Sequence, residues 1–184
     1  MTAPSKLSDE ELVVAVREKD KDLYAEIIRR YQIKLAHYLR KFISHPDELE
    51  DVLQEVFIKV YRNLNDFDIS RKFSSWIYRI AHNEALNHLK KYRKELIAVD
   101  SEELQIMDDK LDVANIADRN LLKIDVRRAL SMLKLKYRDP IILYFFEQKS
   151  YEEISDILHL PKNTVGTLIA RGKSELKNFL IASL

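Results

Sequence analysis

A chain of 184 residues that carries only 2 glycines and 4 prolines can make few of the tight turns that join β-strands. Hairpin turns need positive φ at their central residues, which glycine supplies and most side chains disfavour. Between these sparse breakers, apolar residues recur every three or four positions, the period of an α-helix. An all-α fold follows. The length suits one large domain or two small ones, each with its own core.

Ser8 and Glu11 have capping-box spacing, so a short first helix opens there. Residues 21–44 place Leu23, Ile27, Ile28, Tyr31, Leu35, Tyr38, Leu39 and Phe42 at helical spacing. The next helix starts at Pro46 with Asp47 in or just before its first turn, and Leu49, Val52, Leu53, Val56, Phe57, Val60 and Leu64 form one stripe. "NDFDISRKFS" breaks the period, and a helix resumes over 75–93. These four helices and the loop make a first domain. Residues 95–118 lose sustained periodicity and predict a linker with at most a helical turn. A second set of helices begins near Asn120 with "LLKIDVRRALSML" and "RDPIILYFFEQ", and continues into "SYEEISDILHLPKNTVGTLIARGKSEL".

Charge is segregated along the chain behind a formal net charge of +1. Residues 1–94 hold 18 Lys/Arg against 15 Asp/Glu, residues 95–118 hold 1 against 8, and residues 119–184 hold 12 against 7. Two basic blocks flanking an acidic segment suit two contacts with a polyanion and a linker repelled from it; they also suit an ordinary solvated acidic loop. Cysteine is absent, which excludes disulfides, thiolate metal sites and thiol nucleophiles. No segment approaches the roughly 18 apolar residues of a membrane span. The stretch "MTAPSKLSDEEL" has no apolar signal core, so a cytoplasmic protein without membrane insertion is expected.

The last motif reads as helix, abrupt turn, helix. Ser150 and Glu153 have capping-box spacing, Ile154, Ile157 and Leu158 form a buried face, and "HLP" interrupts with Pro161 set for the first turn of a new helix. Val165, Ile169 and Leu176 point inward, flanked by Leu168 and Leu180. Lys162, Asn163, Thr164 and Thr167 remain outward near the helix start, followed by Arg171 and Lys173. Amide, hydroxyl and cationic groups in the first turns suit base edges and phosphates in a major groove. A plain α-hairpin with a solvated outer face fits the same spacing.

Two more faces stand out. On the helix starting at Pro46, Ile58 falls opposite the apolar stripe, among Asp51, Gln54, Glu55 and Arg62. It is either a lone exposed apolar residue or the anchor of a partner-protein site. On the 75–93 helix, Trp76, Arg79, Asn83, Asn87 and Lys90 share one face. With the preceding loop "FDISRKF" they resemble equipment for unstacked bases and a nucleic-acid backbone; a core tryptophan beside a solvated stripe is the plain alternative. Catalysis finds no support. Glu84, His88 and nearby His82 supply no third metal ligand by spacing, and neither a Gly-rich phosphate loop nor a nucleophile setting is present. A non-enzyme without metal or cofactor is expected.

Three segments in this order resemble the extracytoplasmic-function group of bacterial RNA polymerase sigma factors, of the sigma-70 family. "EDVLQEVFIKVYRNL" is similar to the group's core-polymerase helix with its D-x-x-Q-E-x-F heart. "FDISRKFSSWIYRIAHNEALNHLKK" is similar to its minus-10 region, and "SYEEISDILHLPKNTVGTLIARGKSEL" to its minus-35 helix-turn-helix. The resemblance implies two small helical domains, a four-helix sigma region 2 domain over 8–94 and a helix-turn-helix sigma region 4 domain over 119–181, joined by an acidic linker over 95–118. It implies docking on bacterial core RNA polymerase through Asp51, Gln54, Glu55, Ile58 and Arg62. It implies minus-10 contacts from Asp66, Phe67, Asp68, Ser70, Arg71 and Lys72, whose loop would capture a flipped base, and from Arg79, Asn83, Asn87 and Lys90. Minus-35 contacts would come from Lys162, Asn163, Thr164, Thr167, Arg171 and Lys173, and an anti-sigma factor joins promoter DNA and core polymerase among the implied partners.

The chain departs from the pattern at two places. His159 stands where the group usually has a small residue, often glycine. The common T-V-K-S-R reads here as Thr164, Val165, Gly166, Thr167, Leu168, which loses two cations. A helix-turn-helix regulator that binds operators without polymerase would need only residues 119–184 and leaves the 47–93 motifs unused. A helical interaction module would leave the basic ends idle.

Overall fold

The computed structural model describes residues 4–99 and 129–182, and among these every regular element is helical. The chain separates into two compact units, Met1–Lys90 and Lys91–Leu184. Most of the acidic 95–118 segment, and the helix expected just after Asn120 as far as residue 128, lie outside the described residues.

In the first unit, α1 (Asp9–Glu18) opens with the expected capping box: Ser8 Oγ accepts from the Glu11 amide at 3.1 Å, and Glu11 Oε2 accepts from the Ser8 amide at 2.8 Å. The predicted 21–44 helix is divided. Asp20 caps a 3₁₀ turn at Lys21–Leu23, then α2 runs Tyr24–Leu39, and Phe42 and Ile43 pack inward from the turn that follows. Pro46 is the first residue of α3 (Pro46–Arg62), where its missing N–H leaves nothing unsatisfied. After a 3₁₀ turn at Leu64–Asp66 and an exposed loop, α4 runs Phe73–Val99. It therefore extends past the predicted end at 93 through "KELIAV", a stretch of good helix formers.

The core is aromatic. Phe73 meets Tyr31 at 5.6 Å and Phe67 at 5.4 Å, and Tyr38 meets Phe42 at 5.1 Å and Tyr78 at 5.3 Å, all edge to face. His82 is buried beside them with Nδ1 at 3.0 Å from the Tyr38 hydroxyl, and desolvation holds its imidazole down to about 4.

In the second unit, a helical stretch at 129–132 precedes α5 (Leu135–Ile141), α6 (Tyr151–Leu158) and α7 (Lys162–Ala182). "RDPIILYFFEQ" is not one regular helix. Pro140 removes an N–H inside α5, and residues Ile142–Phe146 widen into a π-turn closed by the Glu147 amide on the Ile142 carbonyl at 3.1 Å. The wider turn keeps Ile142 and Leu143 buried and leaves Tyr144, Phe145 and Phe146 facing out. Leu130, Leu133 and Ile141 form a core with Leu176 and Phe179 against it. Gly172 makes the close α5–α7 approach possible: a Cβ there would lie 3.0 Å from Ile141 Cδ1 and 3.2 Å from the Tyr137 carbonyl.

Candidate polymerase-docking and nucleic-acid surfaces

The α3 stripe behaves as its period demands: Leu49, Val56, Phe57 and Val60 are buried and Ile58 is 44% exposed on the opposite side. Asp51, Gln54 and Arg62 are exposed around it, and Glu55 is half-buried. Lys59 reaches Glu55 at 3.6 Å and donates to Glu84 of α4 at 2.7 Å, tying this helix to the next. Tyr61, one turn beyond Ile58, is also exposed and widens the apolar patch. Its i+3 spacing from Ile58 places both on one face of the helix, a signal present in the sequence.

The loop leaving α3 divides its residues between core and surface. Asp66, Asp68, Ser70, Arg71 and Lys72 are exposed, and Ile69 is 52% exposed among them. Asp68 Oδ1 accepts from the Ser70 amide at 2.9 Å and from its hydroxyl at 2.8 Å, and these bonds, the amide's above all, lower the Asp68 carboxyl below its ordinary range. Phe67, expected with this exposed group, is instead only 3% exposed. It sits 5.2 Å from Trp76 and 5.4 Å from Phe73, because its ring gains more from that cluster than from water. On α4, Asn83, Asn87 and Lys90 are exposed, while Arg79 and Trp76 are half-buried. Asn87 Nδ2 lies 3.5 Å from Glu84 Oε1, within reach of the Lys59 pair.

In the second unit, α6 opens on the expected Ser150–Glu153 box, with bonds of 3.0 and 3.2 Å. His159 closes it in the left-handed conformation at φ 53°, ψ 43°. Its amide donates to the Ser155 carbonyl, and Ser155 Oγ donates to the Leu160 carbonyl at 2.5 Å, so the turn is locked from both sides. The Pro161 carbonyl then accepts from Thr164 and Val165, placing Pro161 just before the first helical residue. Val165 and Ile169 are buried, Leu176 partly so.

Lys162, Asn163, Thr167 and Arg171 surround an open recess with Tyr151, Gly166 and Ala170. The missing side chain at 166 is what opens it beside the Tyr151 ring. Lys162 is paired with Glu152 across the turn, which lowers the Glu152 carboxyl. Thr164 and Lys173 are not part of this recess; Thr164 is half-buried, and the Lys173 ammonium lies 5.9 Å from the Phe145 ring. Tyr151 and Ala170 were not anticipated, because their place depends on the crossing of α6 and α7. Among the described residues no cluster of His, Asp and Glu could hold a metal, and no helix is long and apolar enough to cross a membrane.

Comparison with known proteins divides the chain along the same lines. The sigma-70 region 2 family matches residues 27–95, and the sigma-70 region 4 family matches residues 123–176. The ECF RNA polymerase sigma factor SigW of Bacillus subtilis is 32% identical over 90% of this chain and 92% of its own length. The ECF RNA polymerase sigma-E factor of Haemophilus influenzae is 32% identical over 94% and 95%. Among solved structures, CnrH bound to the cytosolic domain of CnrY has a TM-score of 0.72 at 22% identity, covering 96% of this chain and 99% of that one. RpoE from Bartonella quintana, solved with the anti-sigma factor NepR, has a TM-score of 0.68 at 23% identity over 85% and 96%. These two likenesses concern the fold.

Proposed function

The chain belongs to the extracytoplasmic-function sigma factors of the sigma-70 family, and from that we infer how its surfaces divide the work of starting transcription. It binds core RNA polymerase and recognises minus-10 and minus-35 promoter elements. The presence of both sigma regions in one chain carries this reading, since a regulator bound to operators alone has no use for the region 2 surfaces.

Docking on polymerase falls to the outer face of α3. Ile58 and Tyr61 supply apolar area, ringed by Asp51, Gln54, Glu55 and Arg62, the arrangement of a central anchor within a polar rim. The loop Asp66–Lys72 and the face of α4 take the minus-10 strand. A base leaving the stack loses a few kcal/mol, which hydrogen bonds from the Asp68–Ser70 turn and cationic contacts from Arg71, Lys72, Arg79 and Lys90 offset. Asn83 and Asn87 offer amides to the same strand. Phe67 is the floor beneath the loop rather than the stacking surface.

The start of α7 enters the major groove at minus-35. Asn163 and Thr167 meet base edges, Lys162 and Arg171 meet phosphates, and Gly166 lets the backbone of the helix approach closely. Thr164 and Lys173 play lesser parts at the edge of that surface. An anti-sigma factor is a fitting partner, since likenesses of this fold have been solved with such proteins. The chain itself performs no bond chemistry and works in the cytoplasm, where polymerase and promoter are.

The test is transcription in vitro with matched bacterial core polymerase, this protein and a library of promoter-like fragments. Initiation from a defined subset only when the protein is added is the expected result. Failure to bind core, with retention of duplex DNA binding, would overturn the reading in favour of an operator-binding regulator.

A further inference from the structure

Both ends of the exposed loop between α3 and α4 are held by α1, a helix that lies before the region 2 match beginning at residue 27. At the entry, the Arg17 guanidinium donates through Nε to the Leu64 carbonyl at 2.9 Å, through Nη2 to that same oxygen, and through Nη2 to the Phe67 carbonyl at 2.5 Å. At the exit, Glu10 Oε1 accepts from the Phe73 amide at 2.8 Å. That amide belongs to the first residue of α4, one of the donors a helix cannot satisfy internally, and a carboxylate is favoured there by the helix dipole. Charge-assisted bonds of this kind are the stronger class, and a planar guanidinium spans two carbonyls as no other side chain does.

The clamp is itself anchored. Asp9 accepts from Arg30 of α2 at 2.7 Å and from the Tyr31 hydroxyl, and Arg30 donates to the Leu7 carbonyl at 2.9 Å. Between the clamped ends, residues 68–72 are exposed and ordered by the Asp68–Ser70 turn.

We propose that Glu10 and Arg17 are positioning residues for minus-10 recognition: they fix the two ends of the base-capture loop without touching DNA. The inference rests on the assignment of that loop to the minus-10 element. Without the clamp, the loop stays attached through Phe67 and Phe73 but samples several conformations. The bound geometry is then a minority state: affinity for the matched promoter falls in proportion to its population, and the other conformers hold the strand without reading its bases, so discrimination narrows as well.

The experiment measures open-complex formation by reconstituted holoenzyme on a promoter and on each of its single-base minus-10 variants. Arg17→Met and Glu10→Ala are compared with the parent, Arg17→Lys serves as the conservative variant, and Asp68→Ala, which breaks the Asp68–Ser70 turn, reports on the loop itself. Core affinity is measured in parallel. Arg17→Met should lower open-complex formation on the matched promoter by about tenfold, the weight of a charge-assisted bond. It should also narrow the spread between matched and mismatched bases, while core affinity stays at the parent value. Arg17→Lys, which can still reach one carbonyl, should recover part of the discrimination. Glu10→Ala removes the acceptor at the exit and tests the clamp even where Arg17→Met folds poorly.

Two outcomes overturn the proposal. If Asp68→Ala loses minus-10 discrimination while Arg17→Met and Glu10→Ala retain it, the clamp has no such role. If Asp68→Ala retains full discrimination, the loop assignment fails, and the proposal falls with it.

Discussion

Two glycines stand six residues apart in α7, and adding the same methyl group to each should move stability in opposite directions. Neither has positive φ, so alanine is conformationally acceptable at both and gains about 1 kcal/mol of helix propensity. At Gly166 the new Cβ would meet Tyr151 Cε2 at 3.4 Å and Cδ2 at 3.9 Å, which is ordinary contact. Gly166→Ala should therefore stabilise the second unit by nearly the whole of that ~1 kcal/mol. At Gly172 the Cβ would lie 3.0 Å from both Ile141 Cδ1 and Cγ1 and 3.2 Å from the Tyr137 carbonyl. Ile141 is fully buried, and a carbonyl inside α5 cannot turn away. Overpacking of this kind costs about 1–3 kcal/mol. Gly172→Ala should thus come out neutral to about 2 kcal/mol destabilising once propensity is subtracted.

The assay is amide exchange of peptides within 151–176 in the full chain, backed by thermal melts. For a unit of this size each kcal/mol moves the midpoint by about 4–8 °C, so the two variants should separate clearly. Equal shifts of the same sign would refute the argument, and would mean that the α5–α7 spacing is not set by Gly172. Gly166→Ala carries a second readout, because it fills the recess beside Tyr151. If close backbone approach matters, minus-35-dependent transcription should fall in the more stable protein.

Four further outcomes are expected. His159→Gly should stabilise the second unit by up to about 1 kcal/mol in urea titrations, because a left-handed turn strains a side chain more than glycine's extra entropy loss disfavours it. Ile58→Ala should weaken core-polymerase binding by about 1–2 kcal/mol with the melting temperature nearly unchanged, as an exposed side chain contributes little to folding; unchanged affinity would remove α3 from the docking face. The two units should answer pH with opposite slopes. Buried His82, held near 4, must charge on unfolding, so the first unit loses stability as pH falls from about 6.5 to about 4. Buried Asp139 is pushed up to about 7, mainly by desolvation and against the pull of Arg138, so the second unit loses stability as pH rises from about 4 to about 7; amide exchange of His82→Gln and Asp139→Asn should each flatten its own slope alone. Arg171→Ala should lower minus-35-dependent transcription and reduce the salt slope of binding by about one, and an unchanged slope would take it out of the phosphate contacts.

Local patterns were readable in advance because local physics sets them. The boxes at Ser8 and Ser150, the α3 stripe and the exposure of Ile58 need only helical geometry and a nearest water boundary. What was not readable depends on distant partners. Phe67 looks like a loop aromatic until Phe73 and Trp76 close over it. Glu10 and Arg17 look like ordinary surface charges, since the groups they hold lie 63, 47 and 50 residues away. The π-turn had a visible cause in Pro140, but periodicity cannot tell a kinked helix from one whose turn widens. In the surface proposed for minus-35, residue types marked the polar face of α7, whereas the recess required the position of Tyr151 on α6.

The chain has a single tryptophan, and the fold seats it at the base of the loop assigned to the minus-10 strand. It is half-buried there, packed against Phe67 and Phe73. The molecule therefore carries an optical gauge of its own: a nucleobase settling into the loop should shift or quench the emission of Trp76, reporting promoter melting without any attached dye.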